Sequence, residues 1–315
     1  MITTFLQHLK KEDDTCSNLS KKEAVMFKGS IVAIVTPFKR GKVDEKAFGD
    51  LIEWHLAQGT NAIVPCGTTG ESATLDYKEH YRVIDLAVKI VNRRVPVIAG
   101  TGANSTDETI EITKHAKKSG ADAVLLVAPY YNKPTQEGLY RHYKAVARAV
   151  NIPIVLYNVP GRTAVNILPT TVARLAEIKN IVAIKEASAD MKQVSQIIRL
   201  CGDRITVISG DDFTTLPLLA LGGKGVISVS ANVDPKDVSM MCALWLEGQY
   251  EEALKLHYRL EPLNTAMFLE TNPIPVKTAL AMMGKIKEEF RLPLCEMAPA
   301  NKEKLKKTLK DLRLI

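Results

Sequence analysis

The chain reads as a (β/α)8 barrel, and three observations carry that reading. Eight short apolar, β-branched runs recur along it. Segments with helical periodicity fill the gaps between them. All eight units fit within about 250 residues, the usual length of such a barrel. Apolar runs without polar alternation are strands buried on both faces, as a parallel sheet requires. An open doubly wound sheet is the other way to arrange alternating strands and helices. It usually carries a glycine fingerprint after its first strand, and here Thr36-Pro37-Phe38 follows instead.

The strands are expected, in order, over Ile31–Val35, Ala62–Pro65, Pro96–Ala99, Ala123–Ala128, Pro153–Tyr157, Ile181–Lys185, Ile205–Ser209 and Gly225–Val229. Helices are expected between them over Lys46–Leu56, Tyr77–Val91, Asp107–Lys117 and Glu137–Val150. Gly222-Gly223 enters the eighth strand and is read as a turn on the stability face. Beyond it, helices are expected over Val238–Glu247, Glu251–Thr265, Pro275–Met283 and Lys302–Leu312. In the last, Leu305, Leu309 and Leu312 share one face and the lysines form its wet side. The organisation is therefore an N-terminal extension (1–25), a barrel (26–233) and a C-terminal helical region (234–315). Residues 1–25 are polar and of mixed charge. They read as a loosely attached or surface-helical appendage, with Met26 a second candidate start.

Hydrophobic residues make up 46% and charged residues 24%, a balance that excludes disorder. No apolar stretch is long enough to span a bilayer. The net charge of +7 is dispersed and lacks a basic stripe with stacking aromatics, so neither nucleic acid nor membrane is expected as a partner. Five scattered cysteines without a CxxC pair, and six histidines without HExxH spacing, imply no disulfide framework, no metal and no cofactor. A reducing, cytoplasmic setting fits.

Barrel active sites lie at the C-terminal ends of the strands. Those junctions here are rich in small and polar residues. Lys185 ends the sixth strand, where burial disfavours an ammonium, and a neutral amine forms Schiff bases with carbonyls. A lone lysine at a strand end more often clears it and pairs with a surface carboxylate. The neighbouring residues shift that balance. Tyr157 ends the fifth strand, about 4.8 Å away, and a phenol there can move protons. Thr68 and Thr69 lie between glycines after the second strand. A helix starting soon after them would aim free amides at a carboxylate; the equal alternative is a plain glycine turn with a threonine cap. Arg162, behind Pro160-Gly161, could grip a second carboxylate. Amine, phenol, cradle and guanidinium on one face suit an aldol-type reaction of a 2-oxo acid. Cys66 is expected only to fill space.

From Met26 onward the chain resembles the dihydrodipicolinate synthase family of pyruvate-dependent class I aldolases. The resemblance rests on Gly29–Pro37, Gly67-Thr68-Thr69-Gly70-Glu71-Ser72, Pro129-Tyr130-Tyr131-Asn132, Tyr157-Asn158-Val159-Pro160-Gly161-Arg162, Ile184-Lys185-Glu186-Ala187 and Asn272-Pro273-Ile274-Pro275-Val276-Lys277. It implies a lyase of lysine biosynthesis that holds pyruvate as an imine on Lys185 and adds it to aspartate semialdehyde. Tyr157, Thr68 and a partner subunit's Tyr131 would relay protons. Thr68 and Thr69 would hold the pyruvate carboxylate, Arg162 would orient the semialdehyde, and Gly210 and Ile227 would line the pocket. It further implies a homotetramer, built as a dimer of dimers, and inhibition by lysine at Ser72, Ala73, Tyr77, His80, Asn104, Glu108 and Tyr130. Tyr77 departs from the histidine common in the sensitive enterobacterial type. Other aldolases of the superfamily and a non-catalytic metabolite-sensing barrel are the alternatives.

Overall fold

The computed structural model describes residues 27–315, so the expectations for residues 1–25 and for Met26 lie outside it. Eight parallel strands pair in a ring: β1 (Gly29–Ala33), β2 (Ala62–Val64), β3 (Ile98–Gly100), β4 (Ala123–Val127), β5 (Ile154–Asn158), β6 (Ile181–Glu186), β7 (Thr206–Ser209) and β8 (Gly225–Ser228). Each neighbours the next in sequence, β8 returns to β1, and a bridge between Ile63 and Val97 joins β2 to the approach to β3. The (β/α)8 barrel expected from the sequence is thus formed, and each expected strand lies within three residues of its observed bounds.

The strands owe their faces to a period of two. Ile31, Ala33, Val64, Ile98, Leu125, Val155, Ala183, Ile208 and Ile227 turn inward and fill the barrel. The alternate residues, among them Val32, Ile63, Val124, Leu126, Leu156 and Ile184, face a larger cluster shared with the helices.

Those helices are α1 (Glu45–Ala57), α2 (Tyr77–Val91), α3 (Thr106–Ser119), α4 (Gln136–Ala149), α5 (Pro169–Leu175), α6 (Met191–Cys201), α7 (Thr215–Ala220) and α8 (Pro235–Leu246). Six begin on a side-chain cap: Asp44, Asp76, Ser105, Thr135, Asp190 and Asp234 each accept an amide of the first turn. At α2, Glu79 completes a capping box. Helix α8 packs against β1, and α9 (Tyr250–Ala266) packs on α8. Then come α10 (Ile274–Met282) and α11 (Pro299–Asp311), with Leu305 and Leu309 buried as their spacing predicts. A short hairpin, Phe38–Lys39 with Lys42–Val43, was not anticipated.

Candidate active site

Tyr157 and Lys185 are paired residues of adjacent strands, at matching height on β5 and β6. Alternation turns both side chains into the barrel, above the apolar floor of Val155 and Ala183 and level with Ile208. Lys185 is 5% exposed and its Nζ lies 4.2 Å from the centre of the Tyr157 ring. The lysine therefore does not clear the strand end into water. Ile227, fully buried on β8 and in register with Ile31, forms wall beside it.

Gly210 lies directly against the lysine. Its amide donates to the Glu186 carbonyl at 2.7 Å. A Cβ there would sit 2.9 Å from Lys185 Cε and 2.6 Å from the Ala187 methyl, so only glycine leaves the amine its path.

Two buried carboxylates, Glu186 and Asp212, frame this rung, and neither is among the site residues the sequence singles out. Glu186 faces outward from β6 and accepts from Asn158 Nδ2, from the Ser188 amide at 2.8 Å and from Gln193 Nε2 at 3.0 Å. It ties the loops after β5 and β6 to α6. Asp212 accepts from Ser228 Oγ and from the amides of Val229 and Ser230 at 3.0 and 3.1 Å. Burial pushes its carboxyl pKa up, while those donors and the Lys185 charge pull it back. The signal was present in Lys185-Glu186 and Asp211-Asp212: a charge at the end of a buried strand needs partners.

The threonine loop closes by turns, the second of its two open readings. Gly70 N donates to Gly67 O at 3.0 Å and Glu71 N to Thr68 O at 3.1 Å, before one 3-10 turn at Ser72–Thr74. Helix α2 begins only at Tyr77. The amides of Thr68 and Thr69 meet no acceptor among the described residues. Any cradle here is made of loop amides and hydroxyls, without a helix dipole behind it.

The segment before α10 holds this loop from outside the barrel. Asn272 Nδ2 donates to Thr69 Oγ1 at 3.0 Å, and the Asn272 carbonyl accepts from Arg162 Nη2 at 3.1 Å. Lys277, fully buried, donates to Glu71, also fully buried, and stands 4.2 Å above the Phe38 ring. Burial pushes the Lys277 pKa down and the Glu71 carboxylate draws it back up. Arg162 itself is exposed on the turn Pro160–Thr163. Cys66 is buried beneath the loop, with burial pushing its thiol up, as a space-filling residue would be.

Tyr131 points away from its own barrel. It is 90% exposed, and its backbone is left-handed, φ +70°, an uncommon state for a bulky side chain. Asn132 braces the turn by donating to the Asn104 carbonyl at 2.8 Å. A cavity of about 520 Å³ opens beside it. Thr68 and Arg162 are part of its lining, as are Ser72, Ala73, Tyr77, His80, Glu108 and Tyr130, with Glu71 and Asn272 among the others. Asn104 is not in its wall, and Lys185, Tyr157, Thr69, Gly210 and Ile227 lie outside its lining. His80 is buried, with Nε2 2.7 Å from the Gly100 carbonyl, and burial lowers its pKa. Burial and then Glu108 raise that of Tyr77.

Residues 26–312 match the sequence profile of the Dihydrodipicolinate synthetase family. The chain belongs to that family. It is 72% identical over 290 residues to the 4-hydroxy-tetrahydrodipicolinate synthase of Thermodesulfovibrio yellowstonii, covering 92% of this chain and 100% of the relative. Among solved structures, the chloride-inhibited dihydrodipicolinate synthase of Acinetobacter baumannii, complexed with pyruvate, superposes with a TM-score of 0.90 at 52% identity, over 91% of this chain and 99% of that one. The enzyme of Cyanidioschyzon merolae with lysine bound gives 0.90 at 40%, over 92% and 99%. Membership of the dihydrodipicolinate synthetase family bears out the resemblance seen in the sequence.

Proposed function

We propose that the chain condenses pyruvate with L-aspartate 4-semialdehyde to give 4-hydroxy-tetrahydrodipicolinate, the first committed step of diaminopimelate and lysine biosynthesis. The observation that carries this is the shared rung of Lys185 and Tyr157, amine against phenol inside a closed apolar barrel. The amine attacks C2 of pyruvate and loses water to form an imine. A proton leaves C3, and the resulting enamine carbon adds to the aldehyde carbon of the semialdehyde. The semialdehyde's own amine then displaces Lys185 from C2, closing the ring and freeing the enzyme.

Tyr157, Thr68 and a partner subunit's tyrosine at position 131 pass the protons. The free amides and hydroxyls of Thr68 and Thr69 take the pyruvate carboxylate, and Arg162 takes that of the semialdehyde. Gly210 and Ile227 shape the pocket. No cofactor enters this scheme, since the covalent imine on Lys185 supplies the electron sink. The exposure of Tyr131 supports a homotetramer built as a dimer of dimers. Among the described residues no helix is long and apolar enough to cross a membrane, and we place the enzyme in the cytoplasm. Because α8 packs on β1, we set the end of the barrel at Leu246 and count 247–315 as the appended region.

Incubation with pyruvate, reduction with borohydride and mass spectrometry test the reading. One reduced pyruvyl group on Lys185 is expected, with Lys185→Ala unlabelled. An unlabelled wild type would sink it. Tyr157→Phe is expected to lower kcat by about 10²–10⁴.

A second reading concerns regulation: lysine binds in the cavity lined by Ser72, Ala73, Tyr77, His80, Glu108 and Tyr130, with Asn104 bracing the tyrosine turn. Glu108 would pair with the ammonium of the ligand. Turnover unchanged in millimolar lysine would refute it.

A further inference from the structure

The segment Asn272-Pro273-Ile274-Pro275-Val276-Lys277 has no part in the chemistry above, yet it reaches the threonine loop at two points. Resting on the proposed pyruvate site, we infer that Asn272 is a positioning residue that sets the polarity of the Thr69 hydroxyl and so turns it toward the substrate carboxylate as a donor.

The argument is one of hydrogen-bond inventory. A threonine hydroxyl has one proton and two lone pairs. The Asn272 amide, 3.0 Å away, occupies a lone pair and leaves the proton to be given elsewhere. Among the described residues the Thr69 hydroxyl donates to no protein acceptor. Thr69 is buried, so water serves that proton poorly. A carboxylate placed against the free loop amides would receive it.

Asn272 is itself fixed. It is 5% exposed, and its main-chain carbonyl is held by Arg162 at 3.1 Å. Its side-chain carbonyl Oδ1 is buried without any partner. An orphaned buried acceptor is a liability for folding. An apolar residue would carry no such liability, and what the amide adds here is its bond to Thr69. Five residues on, Lys277 pins Glu71, two residues beyond Thr69, so the loop cannot swing away from the amide. One residue thereby serves both carboxylate-binding groups: the side chain orients Thr69, and the backbone steadies Arg162.

The two contacts separate the effects of mutation. In Asn272→Ala the Arg162 contact survives and the Thr69 hydroxyl turns freely. KM for pyruvate is expected to rise about threefold to tenfold, as loss of one hydrogen bond implies, with KM for aspartate semialdehyde within twofold. In Asn272→Asp the new carboxylate accepts the Thr69 proton and reverses the hydroxyl, which then opposes the substrate. The rise is expected to be larger than in the alanine variant, and to shrink as pH falls toward the carboxyl's pKa. In a Thr69→Val background the alanine substitution should change nothing further.

An Asp variant with the wild-type pyruvate KM would overturn the assignment, since it would put the amide the other way round, and so would equal KM in the Ala and Asp variants, since the side chain would then set no direction for the hydroxyl. So would a matching rise for both substrates, which would mean the loop had simply loosened. Thermal melts identify a variant that fails to fold, and the Asp variant, which keeps the side-chain shape, then decides. Failure of the proposed function would be distinct, because the wild type would not trap pyruvate with borohydride at all.

Discussion

Gly210 shows how little room the chemistry has at the scale of one residue. The lysine stem runs across this glycine to bring Nζ against Tyr157. A methyl group at 210 would meet Lys185 Cε at 2.9 Å and Cγ at 3.0 Å, closer than packed carbons tolerate. The backbone on the other side is held by the Glu186 carbonyl and cannot retreat. The lysine must move instead. In Gly210→Ala we expect kcat to fall about 10²-fold, the cost of misplacing a reacting group by roughly 1 Å. The melting temperature should stay within a few degrees, because the clash lies at the strand ends above the packed floor. Turnover within twofold of wild type would show that the amine does not depend on this path. Lys185 and Tyr157 were legible in the sequence because each ends an apolar run whose length fixes its height. Glu71 and Lys277 were not: their pairing joins positions 206 residues apart, and no local pattern announces it.

Elements were legible in proportion to how local their causes are. The strands are continuous apolar runs, and six of the helices between and after them carry their own side-chain caps. After Thr69 the sequence left a helix start and a plain glycine turn both open, because what decides it is remote: Glu71 sits in the left-handed region at φ +53° and pairs with Lys277. The helix layer has a further property set by burial. His55 on α1 and His142 on α4 face inward, and burial pushes their pKa values down to about 3 and about 4. Both are neutral in the native state. Unfolded, each takes up a proton with a pKa near 6.5. The unfolded chain thus binds more protons below that value, and stability, complete above pH 6.5, falls as pH drops toward 4. Asp234, capping α8, acts in the opposite sense, its carboxyl raised to about 6 by burial first and then by Asp237. His80 adds to the histidines and Asp212 to the aspartate. With the two most strongly shifted histidines dominant, we expect a net loss of stability from pH 7 to pH 5, read from urea midpoints. His142→Gln should lose less over the same interval. A midpoint that stays level or rises on acidification would contradict this account.

At the scale of the whole molecule, one described chain holds the amine, the phenol on β5, the threonine loop and Arg162, but leaves Tyr131 90% exposed on a strained turn. A side chain held so against its backbone preference is fixed by its surroundings for a purpose. If that purpose is the proton relay of a neighbouring barrel, the two defects Tyr131→Phe and Lys185→Ala lie in different subunits of one site. Each variant alone should be nearly inactive. In a two-fold dimer each chain supplies its tyrosine to the other. A mixed dimer then carries one doubly damaged site and one intact site, the intact one joining the lysine of the Tyr131→Phe chain to the tyrosine of the Lys185→Ala chain. Random pairing of equal amounts makes half of the dimers mixed, each with one working site, so activity should return to about a quarter of the wild-type level. Dissociation and reassociation of the two purified variants, followed by assay of aspartate semialdehyde consumption, reads this directly. No recovery, with mixed dimers confirmed by native mass spectrometry, would place Tyr131 outside the relay or within its own subunit's site. The exposed turn would then need another explanation.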